Sequence, residues 1–241
     1  MKKILISTIA VSALFFTVSC ETDFDTDVSS VQITNGQANF TKFVSIGNSL
    51  TSGYRDGALY VDGQNESFPS MMAQQMALAG GGAFKQPLMA DNLGGIKAVG
   101  LLDRLDLKVV NGALSPVRNE DPTKIMGTTT LANIFNTGPY QNMGVPGAKS
   151  FHLGAVGYGS AANLPKANPY FIRFASSPST TVIKDAVAQA PTFFSLWIGN
   201  NDVLSYASSG GAGVDQKGNL DPATYGENDI TDPNVVASVI S

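Results

Sequence analysis

The 241 residues are 43% hydrophobic, 14% charged and 9% aromatic, with 15 Lys and Arg against 19 Asp and Glu for a net charge of -4; such a chain is too apolar for a disordered tail and has no collagen-like glycine period. The negative balance excludes nucleic acid as a partner, because neutralising phosphates needs a basic face. One Cys and one His rule out an internal disulfide and leave no recognisable zinc site, so neither metal nor cofactor is expected.

The N-terminus reads as a targeting segment. Lys2 and Lys3 precede an uncharged run from Ile4 to Val18, then small Ser19 and Cys20, and the run is shorter than the ~20 residues of a membrane-spanning helix. The arrangement resembles the lipobox of bacterial lipoproteins, with Thr17 where Leu is usual. That resemblance implies a signal peptide over residues 1–19, lipidation of Cys20, and a lipid anchor in the bacterial cell envelope, at the outer membrane. Residues 20–40 are acidic and polar and read as a tether; the acids directly after Cys20 also resemble the sorting signals of surface-displayed lipoproteins.

From residue 41 the pattern becomes that of an α/β domain. Phe43, Val44 and Ile46 form a short apolar run ending at Gly47, as a buried strand would. Pro69 marks a helix start, Met72, Met76 and Ala79 share a face as core packing, and Gly80 stops the helix. Residues 80–138 read as a long insertion of loops and short elements. NMGVPG is a strand end with a tight turn, and the glycines of GAVGYGS lack dinucleotide-fingerprint spacing, which leaves them a plain loop. Val182, Ile183, Ala186 and Val187 make a helical face that Pro191 ends. Phe193 to Ile198 is a continuous apolar strand, expected to be buried on both faces of a parallel sheet. The segment from Ser208 to Asn234 reads as polar and flexible, and Asp232 with Pro233 opens a last helix. The sequence ends within that helix, and the expectation is of a domain that continues beyond Ser241.

Two apolar strands lead into FVSIGNSLTSG and LWIGNND, and the carboxyl edge of an open α/β sheet is where ligands bind. Ser49, between the first strand and a helix start at Leu50, suits a nucleophile. Asn201 could aim an amide N–H at the same spot, and Gly144 could bring a bare backbone N–H close; with the Ser49 N–H these would make an oxyanion hole.

The blocks GNSLTSG, NMGVPG and IGNND, in this order over roughly residues 41–205, resemble the first three blocks of the SGNH hydrolases, also called GDSL-type lipases and esterases. The resemblance implies a three-layer α/β/α sandwich around a mostly parallel, flavodoxin-like sheet. It also implies Ser49 as nucleophile and Gly144 and Asn201 as oxyanion donors, acting on a small-molecule, lipid or carbohydrate ester by acyl transfer. Asn48 stands where the family has Asp, and no histidine follows His152, whereas the family takes its base from a C-terminal Asp-x-x-His block. His152 itself, three residues after Lys149, reads as a packing histidine. The alternative from another class is a non-catalytic surface lipoprotein that binds a ligand with the same fold.

Overall fold

The computed structural model describes residues 30–118 and 127–241. The signal segment, Cys20 and most of the tether therefore lie outside the described residues. The chain divides into Met1–Ile33 and Thr34–Ser241, and the strands and α-helices of the described residues all lie in the second unit. Among the described residues no helix is long and apolar enough to cross a membrane.

Strand β1 (Phe43–Gly47) leads into α1 (Ser49–Ser52), α2 (Val61–Asn65) and α3 (Phe68–Leu78); a hairpin of β2 (Leu105–Val110) and β3 (Ala113–Arg118) comes next. Then come β4 (Asn142–Gly144), α4 (Pro169–Ile172), α5 (Val182–Ala188), β5 (Phe193–Trp197), α6 (Asn201–Ser208) and α7 (Pro233–Ile240). Strands β4, β1 and β5 form a parallel sheet in that spatial order. The chain is thus α/β, with β1 central and helices in the crossovers that parallel strands require.

Side chains alternate across β1. Val44 and Ile46 join Met143 of β4 on one face, where Phe171 of α4 and Val182 and Ala186 of α5 close the core. On the other face Phe43 stacks on Phe84 at 5.3 Å and meets Phe193 at 5.9 Å, while the Ser45 and Ser195 hydroxyls share a 2.8 Å hydrogen bond. Helix α3 starts as its sequence dictates: the Ser67 hydroxyl accepts the Ser70 N–H, and Pro69 sits in the first turn. Helix α7 begins in the same manner, the Asp232 carboxylate accepting from Asn234 and Val235.

Four expectations are corrected. Among the described residues β5 is an edge strand, with Phe194 61% exposed and Trp197 49%; its composition suits burial, but β1 alone pairs with it. On α5, Val182 and Ala186 are buried and Ile183 partly so, whereas Val187 is 64% exposed, because at about 100° per residue it is turned away from the stripe that Val182 and Ala186 bury. Helix α3 ends at Leu78, so Ala79 is its cap, and Pro69 and Ala73 are its most buried residues, with Met72 and Met76 outside that buried set. The 208–234 segment is held by hydrogen bonds within itself: the Asp229 carboxylate accepts from Val214 and Gly226 at 2.9 and 2.8 Å, and Asp232 accepts from Gly218 at 2.6 Å.

Within the 80–138 segment, read from the sequence as loops and short elements, lies the β2–β3 hairpin. Asn111 and Gly112 turn it, both at positive φ, which is the Asn-Gly signature of a two-residue hairpin turn.

The core assignment is tested by denaturant unfolding. Phe171→Ala is expected to cost about 3–5 kcal/mol through the cavity it leaves, and Val187→Ala less than about 0.5 kcal/mol. Equal losses would contradict a core closed by α4 with Val187 outside it.

Candidate active site at the carboxyl ends of the strands

Ser49 is the first residue of α1, immediately beyond β1. Its backbone N–H belongs to the donors that every helix start leaves without an intrahelical partner. Among the described residues neither that N–H nor the Ser49 hydroxyl is hydrogen-bonded. The preceding residue fixes the turn. Asn48 is fully buried, its Oδ1 accepts the Leu50 N–H at 3.1 Å, and its Nδ2 donates to Asn200 Oδ1. An Asp at this position could cap α1 equally well, but as an ionised acceptor it could not make the second bond.

The strand ends approach α1 closely. Gly144 on β4 is level with Gly47 on β1, and a Cβ at Gly144 would lie 2.3 Å from the Ser52 nitrogen and 2.7 Å from the Thr51 carbonyl carbon. Only glycine lets α1 seat against β4 here. Buried Asn142 holds the same contact from the side, donating to Thr51 O at 2.9 Å and to Gln86 Oε1 at 2.8 Å. Its Oδ1 accepts the Gly144 N–H at 3.0 Å, so the donor expected to be bare is paired in this state.

The third block completes the edge. Trp197 on β5 lies level with Gly47, and Asn201 opens α6, nearly buried, with Nδ2 donating to Ala148 O at 2.9 Å and Oδ1 accepting from Asn200 at 3.3 Å. An amide has two N–H donors, so the Ala148 bond uses one of them. Buried Asp202 accepts from the Ser150 N–H and hydroxyl at 2.9 and 2.8 Å. The loops carrying Ser49, Gly144 and Asn201 are thereby tied to one another by buried polar side chains. Sequence reasoning missed Asn142 and Asp202 in this role, although both lie inside the blocks it singled out.

His152 lies in the loop after Gly144 and serves packing. Its Nδ1 accepts the Lys149 N–H at 3.0 Å, its ring stacks on Tyr158 at 4.5 Å, and Phe151 lies 4.2 Å away. Burial, aided by the nearby Lys149 charge, pushes its pKa down to about 4, leaving a neutral ring with its proton on Nε2. No hydrogen bond joins it to Ser49 among the described residues. Lys149 is buried too, its ammonium donating to Asp229 O at 2.8 Å, and desolvation lowers its pKa.

Among the described residues no group of three His, Cys, Asp or Glu side chains could hold a metal ion. The chemistry this edge can support is that of an unpartnered hydroxyl at a helix start, on a sheet edge whose neighbouring loops carry backbone and carboxamide N–H groups engaged within the protein. Comparison with known proteins finds no matching family model, no matching curated protein and no matching solved structure.

The histidine has a pH signature. Because its folded pKa lies below the ordinary 6.5, the unfolded chain binds the extra proton between about pH 6.5 and about pH 4. Stability therefore falls as pH drops through that window, by up to about 3 kcal/mol, and this contribution flattens below it. Replacing the ring by His152→Phe is expected to remove that slope in urea titrations at stepped pH; an unchanged slope would reject the assignment. Gly144→Ala, by pushing α1 away from β4, is expected to destabilise the fold by about 1–3 kcal/mol in the same assay, and a neutral result would contradict the close approach.

Proposed function

We propose that the chain carries the serine side of an ester hydrolase working by acyl transfer, lipid-anchored through Cys20 in the bacterial cell envelope. The observation that carries this reading is Ser49 itself: a hydroxyl and a backbone N–H without hydrogen-bond partners among the described residues, at the sheet edge where three motif loops are tied together. In this mechanism Ser49 Oγ gives its proton to a base and attacks the ester carbonyl; the tetrahedral intermediate collapses to an acyl-serine as the C–O bond breaks and the alcohol leaves with that proton, and water then releases the acid and restores the hydroxyl. The Ser49 N–H, the Asn201 carboxamide and the Gly144 N–H, the last exchanging its Asn142 acceptor, stabilise the tetrahedral oxyanion. The SGNH resemblance supports this reading through the same residues. It also supplies the proposed sandwich fold and the Asp-x-x-His block from which the family takes its base. A substrate of the lipid, carbohydrate or small-molecule ester class fits that mechanism.

One observation favours the alternative, a ligand-binding surface lipoprotein without catalysis: the Gly144 and Asn201 donors are engaged internally, and no described base is hydrogen-bonded to Ser49. The two readings part on reactivity. In the full-length protein a fluorophosphonate probe is expected to label Ser49, with labelling and ester turnover abolished by Ser49→Ala. Asn201→Ala is expected to lower kcat by about 10² to 10³ with KM little changed. A loss confined to KM, or labelling that survives Ser49→Ala, would contradict the hydrolase; no labelling at all would support the binder.

A further inference from the structure

Away from Ser49, a cleft of about 830 Å³ opens between α3, the 82–90 segment and the 128–140 segment. Ser49, Gly144 and Asn201 are not part of its wall. Its charge runs against that of the chain: among the described residues the wall holds Lys85 and Arg173 and no Asp or Glu, in a protein where acids outnumber bases.

Arg173 is the unusual member. The residue retains only 5% exposure, and a guanidinium stays charged at any working pH. Its contacts are neutral: Nη2 donates to Leu88 O at 2.7 Å, while Nη1 lies 3.4 Å from Pro87 O and 3.3 Å from Met89 Sδ. Among the described residues its Nε has no acceptor. Among the described residues no carboxylate forms an ion pair with it. A buried cation without a counter-charge is costly, and proteins ordinarily pair it or leave it to a ligand. Lys85, on the same wall, is exposed, and its ammonium donates to Thr137 O and lies 5.8 Å from the Tyr140 ring centre; it likewise has no acidic partner among the described residues. The same wall carries the apolar side chains of Phe84, Leu88 and Ile134.

We infer that this cleft binds an amphipathic organic anion, its oxyanion head between Lys85 and Arg173 and its hydrocarbon body along Phe84, Leu88 and Ile134. Two cations without acids suit a carboxylate or a phosphate monoester head, and the apolar wall disfavours a small hydrated ion. The inference is independent of the hydrolase reading, since it uses no residue of the Ser49 edge.

Calorimetric titration of the chain with octanoate, octyl phosphate and octylamine tests it. At least one of the two anions is expected to bind while octylamine does not, and the tighter of the two identifies the head group. Lys85→Glu, a surface substitution that leaves the fold intact, is expected to weaken anion binding at least about tenfold. Arg173→Gln risks unfolding the protein, so the buried cation is tested in the wild type, where the bound anion should shift the Leu88 and Ile134 methyl NMR signals and leave those of Val182 unmoved. Octylamine binding as tightly as the anions, no anion binding up to about 10 mM, undiminished binding by Lys85→Glu, or shifts confined to other methyl groups would overturn the inference.

Discussion

A single buried carboxamide holds the candidate site together. Asn48 has no access to water, so both ends of its side chain must find partners within the protein or incur the full desolvation cost of an unmade hydrogen bond. One end caps α1 and sets where Ser49 begins; the other reaches Asn200 and so fixes the loop that carries Asn201. The nucleophile candidate and the oxyanion candidate are therefore positioned by the same side chain. This cap does not titrate, so the coupling between the loops persists across pH.

The same device recurs around the edge. Asn142 holds α1 from the β4 side, Asn201 holds the backbone at Ala148, and Asp202 holds Ser150. Glycine at position 144 permits the approach that these bonds then fasten. Apolar packing shapes the other part of the molecule, where Val44, Met143, Phe171 and Val182 close the core under the sheet. Hydrophobic burial has little directionality, whereas hydrogen bonds fix orientation, and a site that must hold one hydroxyl in one place is built with the latter. The buried Lys149 contributes too, joining the His152 loop to the segment around Asp229.

Much of this was legible in the chain. β1, α3, the turn after β4, α5, β5 and the start of α7 follow from local periodicity and capping, because the residues that decide them are neighbours in sequence. What escaped depends on tertiary neighbours. The apolar composition of β5 cannot reveal that it lies at an edge, since strand order is set by crossovers from elsewhere. The segment 208–234 looks mobile by composition, yet its own Asp229 and Asp232 gather N–H groups from up to fifteen residues away. The hairpin is a different case: Asn111-Gly112 between apolar runs is a strong local signal that its setting in a polar stretch obscured. Lys85 and Arg173 are 88 residues apart in the chain, so no pattern along it announces that they share a cleft. Of the candidate site, the residues Ser49, Gly144 and Asn201 were visible through their blocks; the state of their donors was not, because Asn142 and Ala148 accept them only in the folded chain.

If Asn48 and Asn200 couple the two loops directly, their contributions to stability must be interdependent. A double-mutant cycle measures this, using Asn48→Ala, Asn200→Ala and the pair, each unfolded in urea. Removing the bond twice should cost less than the sum of the separate losses, with a coupling energy of about 0.5–3 kcal/mol. Losses that add within about 0.3 kcal/mol would mean that the loops are positioned independently and that Asn48 does no more than cap its helix.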